Sequence, residues 1–136
     1  MQLNAYLNFD NKCEEAFKFY QEVLGGSNLQ IMRFAGSPME SHVPPEARNA
    51  VMHARMDVAG STLMGSDGQQ GRYHTPTGFA VSIGLNDPAE AERIFHALAE
   101  GGQVQMPIQQ TFWALRFAML VDRYNIPWMI NCEQPK

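Results

Sequence analysis

The feature that most constrains the fold of this chain is an internal duplication. A strand-like segment, a helical apolar pattern and a double glycine occur in that order near the N-terminus and again after residue 78. Aligned residues of the two copies are separated by a constant 76 positions: Asn11 and Asp87, Glu14 and Glu90, Phe19 and Phe95, Gly26 and Gly102. A constant offset across helix start, apolar stripe and helix end predicts two copies of one folding unit.

The start of each predicted helix carries a capping pattern. Asn11 followed by Glu14, and Asp87 followed by Glu90, each place an N-cap side chain three residues before a glutamate. This spacing is the capping box, in which two side chains satisfy N–H groups of the first turn. The apolar residues that follow recur at helical spacing, and the glycine pairs after them are typical of helix ends. We therefore predict a capped amphipathic helix in each copy.

The strands that follow the helices align at a different offset. Residues 54–67 match residues 119–132 at a separation of 65, which places Met64 on Met129. A longer loop in the first copy, residues 35–49, accounts for the smaller offset, and its prolines are typical of an irregular flap. Each copy is therefore predicted to be a βαβββ module.

The fold class that follows is α+β, with two tandem βαβββ modules. The predicted first module covers residues 1–67, the linker residues 68–77, and the second module residues 78–136. A chain of 136 residues is long enough to bury a core without disulfides or metals.

Composition excludes several classes of partner. The net charge of −4 and the pI near 5.5 leave no basic face, so we expect neither nucleic acid nor an anionic membrane as a partner. Apolar runs are too short to span a bilayer, and the N-terminus lacks the features of a signal peptide. Cys13 and Cys132 show no CxxC spacing and are expected to stay reduced. We expect a cytoplasmic protein.

Several segments resemble one protein family. They are YLNFDNKCEEAFKFYQEVLGG, VMHARMDVAGSTLMGSD, GFAVSIGLNDPAEAERIF, the tripeptide TFW and the pattern D-x-x-x-x-PWM-x-N. The chain is similar to PhnB-like proteins, also labelled 3-demethylubiquinone-9 3-methyltransferase-like, of the vicinal oxygen chelate superfamily, which includes glyoxalase, bleomycin resistance and dioxygenase proteins. The resemblance implies modules that curl into half-barrel sheets around a cavity, and it implies a homodimer.

The resemblance also implies where a metal ion would bind. Relatives place a His or Gln on the first strand and a Glu on the last strand of each module, and these positions hold Ala5, Met64, Val81 and Met129. None of these side chains suits a hard divalent ion, and shifting the alignment by one residue gives no His–Glu set either. We therefore expect no metal and no other cofactor, and we expect either metal-free binding of a small organic ligand or a degenerate relative of the superfamily.

An enzymatic alternative stays open. His53 alternates with Asp57 on one strand and could act as a general base oriented by a carboxylate, with Asp67 as a further candidate. Such an enzyme would be a lyase, an isomerase or a ring-opening enzyme, with or without a non-standard metal site. The competing interpretations are a histidine satisfied at a strand edge or dimer contact, and a turn cap formed by Ser66 and Asp67.

Aromatic, methionine and polar side chains are candidates for the wall of a ligand pocket, although the aromatic ones are equally consistent with an ordinary core. The predicted pocket residues are Tyr6, His53, Met64, Ser66, Phe112, Trp113, Trp128 and Met129.

The methyltransferase label finds no support in the sequence. A Rossmann-type methyltransferase needs a glycine-rich loop between a strand and a helix, so that the backbone can approach the cofactor. In this chain the glycine pairs Gly25-Gly26 and Gly101-Gly102 follow the predicted helices instead. They are therefore interpreted as helix ends.

Overall fold

The computed structural model describes residues 1–68 and 72–134, and it divides into two compact units. Unit 1 is Met1–His74 and unit 2 is Thr75–Lys136. Residues 69–71 of the predicted linker and residues 135–136 of the predicted second module lie outside the described part.

Unit 1 has the element order βαβββ. Its elements are β1 (Ala5–Phe9), α1 (Cys13–Leu24), β2 (Ser27–Arg33), β3 (Val51–Val58) and β4 (Ser61–Asp67). The strands form an open four-stranded sheet in the order β1-β4-β3-β2, in which β1 and β4 are parallel and the other pairs antiparallel. The loop between β2 and β3, predicted as an irregular flap, contains two single turns of 3-10 helix, Glu40–His42 and Pro45–Ala47.

Unit 2 repeats this order and topology. Its elements are β5 (Val81–Leu85), α2 (Pro88–Ala99), β6 (Gln103–Gln109), β7 (Ala114–Val121) and β8 (Pro127–Glu133). The sheet order is β5-β8-β7-β6, again with a parallel first pair. The prediction of an α+β fold with two βαβββ modules is confirmed. Within the described residues, no helix is long and apolar enough to span a membrane.

Each helix covers one face of its sheet. In unit 1, Phe9 of β1 lies against Phe17 and Tyr20 of α1, with ring centroids 6.0 and 6.4 Å apart, and all three side chains are fully buried. Gly65 of β4 faces the same helix, because a Cβ there would lie 2.9 Å from the Phe17 ring and 2.7 Å from the Leu7 carbonyl oxygen. Only glycine allows the helix to approach so closely.

The side of each sheet away from its helix is called the open face. Side chains alternate along a strand, so the neighbours of the helix-facing residues point to this open face. On the parallel pair of unit 1 they are Tyr6, Asn8, Met64 and Ser66, and on the parallel pair of unit 2 they are Ser82, Gly84, Met129 and Asn131.

The capping box predicted at Asn11 is wrong. Helix α1 begins one residue later, with Lys12 at the N-cap and no side-chain cap bond, while Asn11 adopts a left-handed backbone with φ 61°. The two connections match residue for residue at the offset of 76, but α2 begins at Pro88, a favoured first helical residue, whereas α1 has Lys12 at the aligned position and begins only at Cys13. Asp87 does cap α2, since its side chain accepts the Ala89 N–H at 3.0 Å.

A buried aspartate organises the turn between β7 and β8. Asp122 is 2 % exposed, and its Oδ1 accepts the backbone N–H groups of Tyr124 (2.8 Å) and Ile126 (3.0 Å). Its Oδ2 accepts the indole N–H of Trp128 at 2.8 Å. The D-x-x-x-x-PWM pattern therefore encodes a turn fastened to the core.

Candidate functional site

A cavity of about 520 Å³ lies in unit 1, at the end of the open face where β1 and β4 finish. Strand ends supply its floor, the loop after β2 supplies one wall, and the segment that precedes unit 2 supplies another. Its lining residues are Asn8, Phe34, Met39, Met52, Ser66, Asp67, Gly68, Arg72, Tyr73 and His74. The volume suits a small organic molecule.

The floor of this cavity is polar. Asn8 and Ser66 are partners in the register of the parallel strands β1 and β4, and the Ser66 hydroxyl donates to Asn8 Oδ1 at 3.5 Å. This long bond occupies the acceptor end of the Asn8 amide and leaves its N–H groups as donors toward the cavity.

One side of the cavity is apolar and adaptable. Phe34 is nearly buried, with 8 % of its side chain exposed, whereas Met39 is 44 % exposed. Met52, the third apolar residue, is half-buried on β3. Methionine side chains adjust readily to irregular shapes, so this wall can follow different ligands.

An irregularity in β3 directs Met52 toward the cavity. In the pairing with β2, Met32 lies opposite His53 but Arg33 lies opposite Val51, so Met52 has no partner. A bulge of this kind turns two successive side chains to the same face of the sheet. As a result both Met52 and His53 are on the open face.

Asp67 lies at the cavity, but its carboxylate binds the backbone. Its Oδ1 accepts the N–H of Cys13 and its Oδ2 accepts the N–H of Val51, both at 2.9 Å, and only 7 % of the residue is exposed. Because α1 has no cap of its own, Asp67 satisfies the first turn of that helix from a distant strand. Its observed contacts are structural.

The structure does not bring His53 to either candidate carboxylate. His53 Nδ1 lies 3.2 Å from the Tyr6 hydroxyl, whereas the Asp57 carboxylate accepts from Asn28 Nδ2 (3.1 Å) and Thr62 Oγ1 (3.5 Å). Four residues along a strand separate backbone positions by roughly 13 Å. His53 is therefore a partner of Tyr6, and neither residue lines the cavity.

The positions expected to correspond to a metal site need correction on the first strands. In the parallel registers Tyr6, and not Ala5, lies opposite Met64, and Ser82, and not Val81, lies opposite Met129. Ala5 and Val81 therefore point to the opposite face from the two methionines. The corrected set offers a phenol, a hydroxyl and two thioethers, which do not fit a hard divalent ion.

The predicted pocket residues of unit 2 lie in different environments. Trp128 is 2 % exposed and belongs to the core, while Met129 points to the open face of β8. Phe112 is 93 % exposed and Trp113 47 % exposed, in the turn before β7. The Trp113 ring lies 4.8 Å from that of Phe112 and 5.2 Å from that of Phe117, both edge-on.

Sequence reasoning missed most of the cavity lining. Ser66 and Asp67 were among the candidates, and strand alternation with Tyr6 could have added Asn8. Met52 depends on the bulge, which no local pattern indicated. The missed lining residues are Asn8, Phe34, Met39, Met52, Gly68, Arg72, Tyr73 and His74.

The two cysteines are buried free thiols. Burial raises the pKa of Cys13, and the nearby Asp67 and Glu14 carboxylates raise it further. Burial also raises the pKa of Cys132, with a smaller contribution from Asp87 that Arg116 partly opposes. Both thiols are therefore protonated at neutral pH and unsuited to act as nucleophiles.

Comparison with known proteins gives consistent matches over the whole chain. A sequence model of the family described as 3-demethylubiquinone-9 3-methyltransferase matches residues 1–131. Protein YjdN of Escherichia coli (strain K12) is 32% identical in an alignment of 145 residues, gaps included, that covers 99% of this chain and 99% of that protein. The crystal structure of protein PA1353 from Pseudomonas aeruginosa superposes with a TM-score of 0.90 and 43% identity, again over 99% of both chains.

A more distant structure shares the fold. The PhnB protein from Bacillus cereus, described as a putative 3-demethylubiquinone-9 3-methyltransferase, superposes with a TM-score of 0.76 at 23% identity, over 97% of this chain and 99% of that one.

Proposed function

The chain belongs to the 3-demethylubiquinone-9 3-methyltransferase (PhnB-like) family of the vicinal oxygen chelate superfamily, and we propose that it binds a small organic molecule without a metal ion. The binding site in this proposal is the cavity on the open face of unit 1. The observation that carries it is a cavity of about 520 Å³ that combines the polar floor of Asn8 and Ser66 with an adaptable apolar wall. This combination of many apolar contacts and few convergent polar groups is typical of ligand pockets.

The donor set supports binding without a metal. Within residues 1–68 and 72–134, no three His, Cys, Asp or Glu side chains are grouped so that they could hold a metal ion. Asp67, the one carboxylate among the described residues that line the cavity, already accepts two backbone N–H groups. A hard cation would have to compete with both of these bonds.

Methyl transfer of the Rossmann type finds no support in the fold. The connection from β1 to α1 is Asp10, Asn11 and Lys12, and the connection from β5 to α2 is Asn86 and Asp87. Neither contains the glycines that bring a backbone close to a cofactor at a helix N-terminus.

The enzymatic alternative receives less support from the geometry. Its proposed base, His53, contacts a phenol and lies outside the cavity, while Asp57 and Asp67 have other partners. Binding is therefore the function that the observed contacts favour.

Filling the cavity tests the proposed function. We expect Met52→Trp to weaken binding of 3-phenylpropionamide and 3-phenylpropionate at least tenfold, because the indole occupies the space that the ligand needs. The measurement is a two-dimensional NMR titration in the presence of a chelator, following the amide signals of Asn8, Met52 and Ser66 in the wild type.

Met32→Trp is the matched control, since Met32 is 50 % exposed on the open face and does not line the cavity. This variant should bind both probes as the wild type does. If neither probe causes saturable shifts at the cavity, or if binding requires an added divalent ion, the proposed function is wrong.

We also propose that the chain pairs with a second copy of itself through the aromatic turn before β7. The support is the exposure of Phe112 and Trp113, 93 % and 47 %, which is unusual for neighbouring aromatic rings on a small protein. Aromatic side chains frequently dominate the binding energy of interfaces.

Removing these two rings should disrupt the pair. The double variant Phe112→Ser, Trp113→Ser is expected to raise the dimer dissociation constant about tenfold or more in sedimentation equilibrium. Leu3→Ser is the control, because Leu3 is 95 % exposed in unit 1 and far from this turn in the sequence. A wild-type chain that is monomeric at high concentration, or a double variant that pairs normally, contradicts this assignment.

A further inference from the structure

We infer that the ligand of the unit 1 cavity is an organic anion, and that Arg72 is the residue that selects its charged group. This inference rests on the proposed function and adds the chemical class of the ligand. It follows from the distribution of ion pairs, from the contacts of Asp67 and from the mixture of groups around the cavity.

Most basic side chains of the described chain are already paired. Six of them lie within 4.0 Å of a carboxylate oxygen: Lys12, Lys18, Arg33, Arg93, Arg116 and Arg123. Within residues 1–68 and 72–134, Arg48, Arg55 and Arg72 have no such partner, and all three are in unit 1. Of these three, Arg72 lines the cavity.

An arginine without an acidic partner at a cavity is a ready anion site. The guanidinium group stays charged at any physiological pH and presents planar N–H donors that match a carboxylate or a phosphate-like group. The chain carries a net charge of −4, so an unpaired cation at this place is not a consequence of a generally basic surface.

The Asp67 carboxylate lies at the same cavity but is not the anionic partner of Arg72. Its two oxygens point to the N–H groups of Cys13 and Val51, at 2.9 Å each, and so toward the first turn of α1. The partial positive charge of that helix end offsets the charge of the carboxylate. Arg72 is therefore left to balance an anion that comes from outside.

The remaining lining describes the rest of the ligand. The free N–H groups of Asn8 can donate to the same anionic head, and His74 adds a further ring nitrogen at the cavity. Phe34, Met39 and Met52 offer an apolar surface for a carbon skeleton. The matching ligand is an amphipathic organic anion with a carboxylate or phosphate-like head and a small apolar or aromatic body.

Unit 2 provides an internal comparison. The open-face residues that β5 and β8 pair in their parallel register are uncharged, namely Ser82, Gly84, Met129 and Asn131. Its three arginines, Arg93, Arg116 and Arg123, are all paired with glutamates. The unpaired positive charge is therefore a property of the unit 1 cavity and not of both copies.

Three probes of matched shape test the inference. They are 3-phenylpropionate, its neutral amide 3-phenylpropionamide, and 2-phenylethylphosphonate, each titrated into the full chain by NMR or calorimetry at low salt. We expect the wild type to bind at least one of the two anions about tenfold or more tightly than the amide, because charge-assisted hydrogen bonds are the stronger ones. The two anions distinguish a carboxylate ligand from a phosphate-like ligand.

Arg72→Gln should abolish this preference, because glutamine retains some of the length and polarity of arginine without its charge. Arg55→Gln is the matched control: Arg55 is exposed on the open face, opposite Met64 in the register, and does not line the cavity. It should retain the preference. Arg72→Lys should restore part of it, since the charge returns without the planar fork.

The outcomes separate this inference from the proposed function. If the wild type binds the amide as tightly as both anions, or if Arg72→Gln and Arg55→Gln behave alike, the ligand is not selected by Arg72 and the inference is wrong, while the binding function stands. If none of the three probes binds at the cavity, the inference and the proposed function fall together.

Discussion

Asp122→Ala is expected to destabilise unit 2 by about 4 kcal/mol, because it leaves three buried donors without an acceptor, each of which costs about 1–3 kcal/mol. These donors are the N–H groups of Tyr124 and Ile126 and the indole N–H of Trp128. The aspartate itself is 2 % exposed, so water cannot readily replace the lost carboxylate. Urea denaturation followed by circular dichroism and by tryptophan fluorescence measures the loss. Both tryptophans are in unit 2, so the fluorescence reports that unit.

Asp57→Ala is the matched control for this substitution. The offset of 65 aligns Asp57 with Asp122, but Asp57 is half-exposed and accepts from the exposed or half-exposed side chains of Asn28 and Thr62. Its loss should cost less than about 1 kcal/mol, as surface substitutions commonly do. Equal losses for the two variants would show that the buried turn is not held by Asp122.

Asp67→Ala is the second large effect, with an expected loss of about 3 kcal/mol from unit 1, since two buried backbone N–H groups lose their acceptor. The donors belong to Cys13, at the start of α1, and to Val51, at the start of β3. Hydrogen exchange of the Cys13 and Val51 amides, together with urea denaturation, measures this loss. The exchange should accelerate at both amides and not only at one of them.

Asp87→Ala is the control for helix capping alone. Asp87 accepts one N–H at 3.0 Å in an exposed position, so its removal should cost about 1 kcal/mol, the usual value of an N-cap. If Asp67→Ala costs no more than Asp87→Ala, the carboxylate of Asp67 is not required for stability. That result would favour a role for Asp67 in chemistry or ligand binding.

The duplicated fold was readable from the sequence because its signals are local and repeated. Strand patterns, helical apolar stripes and glycine pairs occur twice in the same order, and the topology of both units agrees with them. The error at Asn11 has a local cause, because α1 begins one position later in the repeat than α2 does, and the constant offset does not reveal this. A repeat alignment fixes the order of elements more firmly than it fixes the first residue of a helix.

The site was less predictable because it depends on contacts between distant segments. Assigning Ala5 and Val81 to the open face required the strand register to within one residue, and a slip of one turns every side chain to the other face. Asp67 was a candidate carboxylate partner of His53 because its actual partner, the Cys13 N–H, is 54 residues away and could not be read from the sequence. No sequence pattern pointed to Arg72. It stands out only because most other arginines form ion pairs in the structure, whereas Arg72 lines the cavity without an acidic partner among the described residues.

The two ways of capping the helices have a consequence for the order in which the units fold. The cap of α2 lies two residues from the N–H that it accepts, so that helix can complete its first turn from its own sequence. In helix α1 the Cys13 N–H instead donates to Asp67, so a loop of 54 residues must close before this hydrogen bond can form. During synthesis the Cys13 N–H can therefore gain this acceptor only after β4 has left the ribosome, whereas α2 can be capped while its own sheet is still incomplete.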